Sequence, residues 1–485
     1  MSRPGAGTLR RTLVPFGLAL LAAGCASLDP DASRAPVAQA VQRHAGAPLP
    51  PMASSSDAPQ ATRVREQIGT QVAAWLREPL TMDAAVQIAL WNHRGLAADL
   101  ESLNVAEAER VMALTLPNPG FTFGRSRSGD EREVERSLHV GLTRLLARPW
   151  LAELAQRDLA RRQAEVTARA LAHVHATRRA WIEAVAAQEQ LHYMRQVMTA
   201  AEASAELARR MAQVGNFNRL AQAREQAFYA DAALDAARAQ QRVEATRERL
   251  VRHLGLWGDQ IGFRLPDRLP TLPAAPSAWP ELEREALATR LDVAAERAEA
   301  ERLARQIGLD RVTRWVPVLE FERSSSTSWH GDERERSRGW EIGFELPIFD
   351  TGSARLARSE ALYRQQAHRT AQTAIEARSE IREAYGQYRH AWDLARHHWQ
   401  ERVPLRQRIA EENLLRYNGM LIGVFELLAD ARTQIASVAA ALDALREFWL
   451  ADVDLQAARI GRPGLSLPSA AAPSGGSPAA SGDPH

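Results

Sequence analysis

The sequence predicts a mainly α protein with a small membrane β-barrel portion, written as two tandem copies of one unit. Three observations lead there. Long tracts dominated by Ala and Arg run for tens of residues without proline, as from Trp150 to Phe263. Four short stretches place apolar residues at every second position, the period of a strand with one apolar face. The whole order of signals then recurs: Pro117 and Pro317 stand 200 residues apart, and Gly215 and Gly419 stand 204 apart. A repeat of this length means that one supersecondary plan is used twice.

The composition narrows the function classes. The chain has 485 residues, enough for a large core. Its 61 basic side chains, all Arg, nearly balance 59 acidic ones, leaving a formal charge of +2. That excludes the strongly basic surface of a dedicated nucleic-acid binder. The mean hydropathy is −0.33, and the longest apolar run, Thr12 to Ala23, is too short for a membrane-spanning helix. A single cysteine rules out an intrachain disulfide and a multi-cysteine metal site.

Residues 1–24 read as a signal peptide: Arg3, Arg10 and Arg11 precede an apolar stretch from Leu13 to Leu21, and the small residues Ala22, Ala23 and Gly24 end at Cys25. This junction resembles the bacterial lipobox, which implies a covalent lipid on Cys25 as the anchor. The Leu usual three places before the cysteine is Ala22 here, with Leu21 one step further out. Ala26 and Ser27 follow, with no Asp beside the cysteine, which by the same resemblance implies sorting to the outer membrane. Residues 25–79 are expected to hold the lipid anchor and an extended tether, because Ala, Pro and Ser dominate up to Pro59.

The first repeat, 80–265, opens on an expected amphipathic helix from Met82 to about Leu114, stopped by Pro117 and Pro119. Phe121 and Phe123, then Leu138, Val140 and Leu142, alternate with polar or small residues and predict two strands. The charged segment between them, Arg125 to Arg136, is expected to be a loop in water. After Pro149 a helix is expected from Trp150 to a tip at Gly215 and Asn216, where a left-handed residue can end it. A linker, 266–280, leads to the second repeat, 281–461. There Leu319 and Phe321, and Trp340 through Leu346, repeat the strand signal around a polar segment, Ser324 to Arg338. Pro404 predicts a break or fresh helix start near Val403. Leu428, Ala431, Ile435, Val438, Leu442, Leu445 and Trp449 follow steps of three and four, a coiled-coil seam. Residues 462–485 read as a disordered tail.

Four strands cannot close a barrel, and open edges are not tolerated in hydrocarbon. Strands that span a membrane here therefore require several protomers, and twelve strands would leave a conduit.

At this point the chain resembles the TolC family of outer-membrane efflux channels, in its lipid-anchored branch. The residues that carry the resemblance are Leu80, Thr81, Asp83 and Ala84 at the opening of the first repeat; Pro117, Asn118 and Pro119; Gly215, Asn216, Arg219 and Leu220; Leu346, Pro347, Ile348, Phe349, Asp350 and Gly352; and Arg416, Tyr417 and Gly419 followed by Glu426, Leu427 and Leu428. The resemblance implies a homotrimer, a twelve-stranded β-barrel in the outer membrane joined to a periplasmic α-helical barrel. It further implies a passive exit duct that docks a periplasmic adaptor coupled to an inner-membrane transporter, with a gate at the helical tips. The expected tip and gate residues are Gly215, Asn216, Gly419, Glu426 and Asp430, the last displaced by one place from the family position, which Ala429 holds.

No catalytic constellation emerges, so no enzyme activity, cofactor or metal is expected. The histidine pairs His173 with His175, and His390 with His397 and His398, lack the convergence of a metal site. Two other classes stay open on the residues alone: a periplasmic adaptor, which needs one helical hairpin with flanking β-rich modules, and a non-channel lipoprotein scaffold.

Overall fold

The computed structural model describes residues 30–51, 58–129, 131–277, 281–315, 318–330 and 333–461. The expected signal peptide and tail, with Cys25 and Pro317, lie outside the described residues. Within them the chain runs α1 (Pro30–Ala45), α2 (Ala58–Trp75), α3 (Met82–Asn92), α4 (Arg94–Leu114), β1 (Gly120–Ser128), β2 (Glu131–Gly141), α5 (Leu142–Gln213) and α6 (Arg219–Leu254). The second copy follows as α7 (Leu282–Thr289), α8 (Leu291–Thr313), β3 (Leu319–His330), β4 (Glu333–Phe344), α9 (Ser353–His397), α10 (Val403–Asn418) and α11 (Val424–Ile460).

The helix expected from Met82 to Leu114 is two, and the second copy likewise opens on two helices, α7 and α8. His93 ends α3 and its Nδ1 accepts from the Leu96 amide at 3.2 Å, capping α4. In the second copy Arg290 stands between α7 and α8, 2% exposed, and donates to Asp292, Glu380 and the Ala458 carbonyl. Periodicity continues across both breaks, which is why the sequence conceals them.

α5 holds 72 residues and is therefore roughly 110 Å long. It begins directly where β2 ends, eight residues before the expected start at Trp150, and takes Pro149 inside it. The Leu and Ala residues ahead of Pro149 are good helix formers, and Thr143 in the first turn accepts from the Leu319 amide at 2.5 Å. The second copy instead leaves its sheet through a coil and starts α9 after Gly352, which is left-handed at φ 68°. The break expected near Val403 is present: a π-helical turn, His398–Arg402, precedes α10, and Pro404 lies in that helix's first turn.

The core is concentrated at mid-length of the long helices. Leu80, Ile88, Trp181, Ile182, Leu250, Leu254, Leu445 and Val453 form one cluster, and the Trp181 indole donates to the Leu80 carbonyl at 2.7 Å. The linker is strapped across the second hairpin by two more indoles, Trp392 to the Pro273 carbonyl and Trp449 to the Pro270 carbonyl. The tether is where expectation fails. It is helical over α1 and α2, and α1 is docked, with Val37 and Val41 fully buried against Leu100, Leu103, Val166 and Val174. Gln163 and Arg178 of α5 donate to the carbonyls of Ser33 and Ala45. An i, i+4 pair of valines inside an Ala/Pro-rich stretch is a narrow stripe, and composition alone hides it.

β1 to β4 form one antiparallel sheet in chain order. Both expected charged loops are strand: β1 and β2 pair from Gly120↔His139 to Ser128↔Glu131, and β3 and β4 from Leu319↔Phe344 to His330↔Glu333. Twelve residues of strand reach roughly 40 Å. β1 and β4 are the outer strands of the sheet, each with one edge unpaired among the described residues.

Candidate functional site

Two regions carry functional chemistry, the sheet and the helical tips. Residues directly opposite in an antiparallel pair share a face, so the register sorts every side chain. One face carries Phe121, Phe123, Leu138, Val140, Phe321, Trp340, Ile342 and Phe344 near the helices, and Arg125, Arg127, Arg132, Arg136, Arg323, Arg334, Arg336 and Arg338 toward the far end. The other face carries Glu131, Glu133, Glu135, Glu320, Glu322, Glu333, Glu335 and Glu341 with Ser, Thr, Gly and His, and no Arg. Gly120 faces His139 here, and a Cβ at that position would lie 2.0 Å from the imidazole. Large aromatics on the first face stand in the open: Phe121 is 67% exposed and Trp340 69%. The nearby Leu346, Ile348 and Phe349 extend the apolar surface below the sheet. A folded chain does not leave such a band to water; it is a surface made to be covered.

At the first tip, Gly215 is left-handed at φ 79°; its amide bonds the Ala212 carbonyl and that of Asn216 bonds the Met211 carbonyl. This is a Schellman close, and Asn218 then caps α6 through the Ala221 amide at 2.7 Å. The second tip uses the same pattern one residue later than Gly419. Gly419 has φ −81°, and the left-handed residue is Met420 at φ 58°, with Met420 N–H to Tyr417 and Leu421 N–H to Arg416. Met420 and Leu421 are 93% and 77% exposed, and Val214 and Leu220 are exposed at the first tip. Both tips thus end in apolar side chains.

Glu426 sits exposed in the first turn of α11, while Asp430, one turn on, accepts from Asn413 of α10. The two carboxylates anticipated at the gate therefore differ: one is presented outward, the other is tied within its own hairpin. A stronger contact lies about two turns from the tips. Arg432 of α11 donates to Glu225 of α6 at 2.8 Å, Ser204 of α5 donates to the same carboxylate at 2.8 Å, and Glu225 is nearly fully buried. The Arg432 guanidinium also lies 4.4 Å from the Phe228 ring centroid. Tyr193 adds a bond to the Ile435 carbonyl. These contacts join the two hairpins, and nothing in the sequence pairs residues 207 positions apart.

The histidines gather elsewhere. His93, His173 and His253 lie together as tilted rings, with centroids 4.1 and 5.8 Å apart. Burial first, and the neighbouring His93 and His253 second, push His173 down to about 4. Burial, then Arg178 and His44, push His175 down to about 4 as well. Both are thereby held neutral. Among the described residues, no group of three or more His, Cys, Asp or Glu is arranged to hold a metal ion.

No family model matches the chain. A curated relative, the cobalt-zinc-cadmium resistance protein CzcC of Cupriavidus metallidurans, is 24% identical over 288 residues, 57% of this chain and 65% of that protein. The match thus spans slightly less than two thirds of the relative. Solved structures share the fold over a longer stretch. A membrane protein from Pseudomonas aeruginosa superposes with a TM-score of 0.67 at 20% identity, over 78% of this chain and 93% of that one. The outer membrane protein VceC of Vibrio cholerae gives 0.65 at 15% identity, over 78% and 96%. The open state of the Neisseria gonorrhoeae MtrE outer membrane channel gives 0.65 at 16%, over 79% and 89%. The chain therefore has the mostly helical fold with a small antiparallel sheet seen in these solved structures, as the sequence led one to expect.

Proposed function

We propose that this chain is the outer-membrane exit duct of a tripartite efflux system, assembled as a homotrimer whose three sheets close a twelve-stranded barrel. The observation that carries it is the sheet: four strands with two unpaired edges and an exposed apolar face on one side only. In hydrocarbon every backbone group must be bonded, so the β1 edge of one protomer would pair with the β4 edge of the next. The paired hairpins, α5 with α6 and α9 and α10 with α11, would then continue the barrel through the periplasm. The two hairpins also disfavour the single-hairpin adaptor reading. The lipid on Cys25 would hold the assembly at the membrane.

The exposed apolar tips would dock a periplasmic adaptor coupled to an inner-membrane transporter. Around the axis, three copies of Glu426 would face one another at the closed end, and adaptor binding to an open form would shift the population toward it. The duct itself makes and breaks no bond. An acid-lined interior favours cations, which agrees with the resistance to cobalt, zinc and cadmium that the curated relative is named for.

Purified protein run without boiling should migrate as a heat-modifiable trimer and form channels in planar bilayers, with Glu426→Ala raising the leak conductance. A monomer that forms no channels would overturn the proposal, and unchanged conductance would remove Glu426 from the gate.

A further inference from the structure

We propose that the arginine-bearing face of the sheet is a docking surface for the phosphorylated glycolipid of the outer leaflet. The inference rests on the barrel reading above, which puts this face toward the membrane. All eight guanidiniums on β1 to β4 share the face with the apolar band, and all eight Glu carboxylates of the sheet lie on the opposite face. The arginines are exposed. On their own face they have Ser, Thr, Val134, Leu138, aromatic and other Arg side chains for neighbours. Arg132 and Arg334 flank the Trp329 ring at 5.4 and 5.5 Å, and Arg136 lies over Phe123 at 6.0 Å. Stacking of this kind orients a guanidinium and leaves its N–H groups free for oxygen acceptors.

Position decides what the acceptors are. On the lipid side of a barrel an arginine is strongly unfavourable at the bilayer midplane and nearly neutral at the interface, so eight of them must meet headgroups. They begin at mid-strand, with Arg323 level with Leu138 and Trp340 and Arg136 level with Phe123, and run to the strand ends away from the helices, which in this reading is the outer-leaflet side. Charge complementarity then requires an anion-rich headgroup layer.

The spacing selects among anionic lipids. Arg136 and Arg338 flank Ser325 in one row across three strands, so their backbones stand roughly 10 Å apart. Arg323 lies one row nearer the helices on the middle strand. A shallow depression of about 240 Å³ here is lined by Phe121, Leu138, Arg136, Arg323 and Arg338 together with serines. A headgroup with two phosphates on a disaccharide can meet separated guanidiniums at once, with an acyl chain against Phe121 and Leu138. A glycerophospholipid offers one phosphate. Arginine binds phosphate bidentately, which suits fixed sites of this kind.

The test uses the full-length protein in detergent, titrated with a bis-phosphorylated lipid A, the same lipid with its phosphates removed, and phosphatidylglycerol, with bound lipid counted by native mass spectrometry. The bis-phosphorylated lipid should bind most tightly. The triple variant Arg136→Gln, Arg323→Gln, Arg338→Gln should bind it roughly 100-fold more weakly, while the Arg→Lys triple should keep most of the affinity. Conductance in planar bilayers should be unchanged in both triples. Equal binding of the dephosphorylated lipid, equal binding of phosphatidylglycerol, or an unaffected Gln triple would each overturn the proposal. If the parent protein forms channels and one of these results appears, the docking surface alone fails; a parent that forms no channels refutes the barrel reading beneath it.

Discussion

In the proposed duct, Arg432→Ala should favour the open form. In the folded chain this guanidinium is the charged partner of Glu225, whose side chain is 3% exposed, and Ser204 supplies the remaining hydrogen bond. Removing one partner of a buried pair costs about 3–5 kcal/mol, because the other charge stays buried without compensation. Arg432 is itself 36% exposed, so water can reach the gap, and about 2 kcal/mol is the better figure for this pair. The contact joins α11 to α6, and an opening that moves the second hairpin away from the first must break it. The full loss would then fall on the closed state, changing the closed-to-open ratio roughly 30-fold. Single-channel recording should show that increase in open time for Arg432→Ala. Glu225→Gln, which keeps a neutral hydrogen-bond acceptor, should give a smaller one. Thermal melts of the same variants report the link independently of conduction. A double-mutant cycle with a coupling below about 0.3 kcal/mol, or unchanged open times in both variants, would refute the reasoning.

Three further outcomes are expected. His173 and His175 are held neutral in the fold, so above pH 6.5 neither form of the chain carries their charge; as pH falls from 6.5 toward 4 the unfolded chain takes up protons first and stability drops. The loss is on the order of 3 kcal/mol per histidine at the acid end, and urea melts of His175→Leu, which removes a ring with both nitrogens unbonded, should show a shallower pH slope. Met420→Gly relieves a left-handed non-glycine residue and should stabilise the second tip by about 1 kcal/mol, read as slower amide exchange near Arg416 and Tyr417. Neutralising Glu133, Glu135, Glu333 and Glu335 to Gln should reduce the cation preference measured by reversal potential, whereas an unchanged potential would place the acidic face outside the conduction path.

Much of the plan was legible in the primary structure. The repeat, the two helical hairpins, the tip at Gly215 and the break before Pro404 all follow from local rules about proline, glycine and helical periodicity. The misplaced strand ends have an instructive cause. Glu333, Arg334, Glu335, Arg336, Ser337 and Arg338 do alternate with a period of two, but in the sign of charge instead of hydropathy, so a search for apolar alternation read strand as loop. The seam on α11 was half right for a related reason. Leu445 is buried as expected, but Ser437, Ala441, Phe448, Val453, Leu455 and Ala458 are the deepest positions, while Val438 and Leu442 are only half-buried. Heptad spacing gives the stripe its period; the packing of α9 and α7 fixes its angle.

What the sequence by itself determined, then, is the inventory of elements and their order, because backbone sterics and side-chain periodicity act over a few residues. What only the tertiary structure decided is which residues meet. Register put eight arginines on one side of the sheet and eight glutamates on the other, a docked helix took the place of an extended tether, and Arg432 found Glu225 across 207 residues. Each depends on long-range packing, where a one-residue slip exchanges the two faces of a strand and a burial of two valines is worth more than the composition around them.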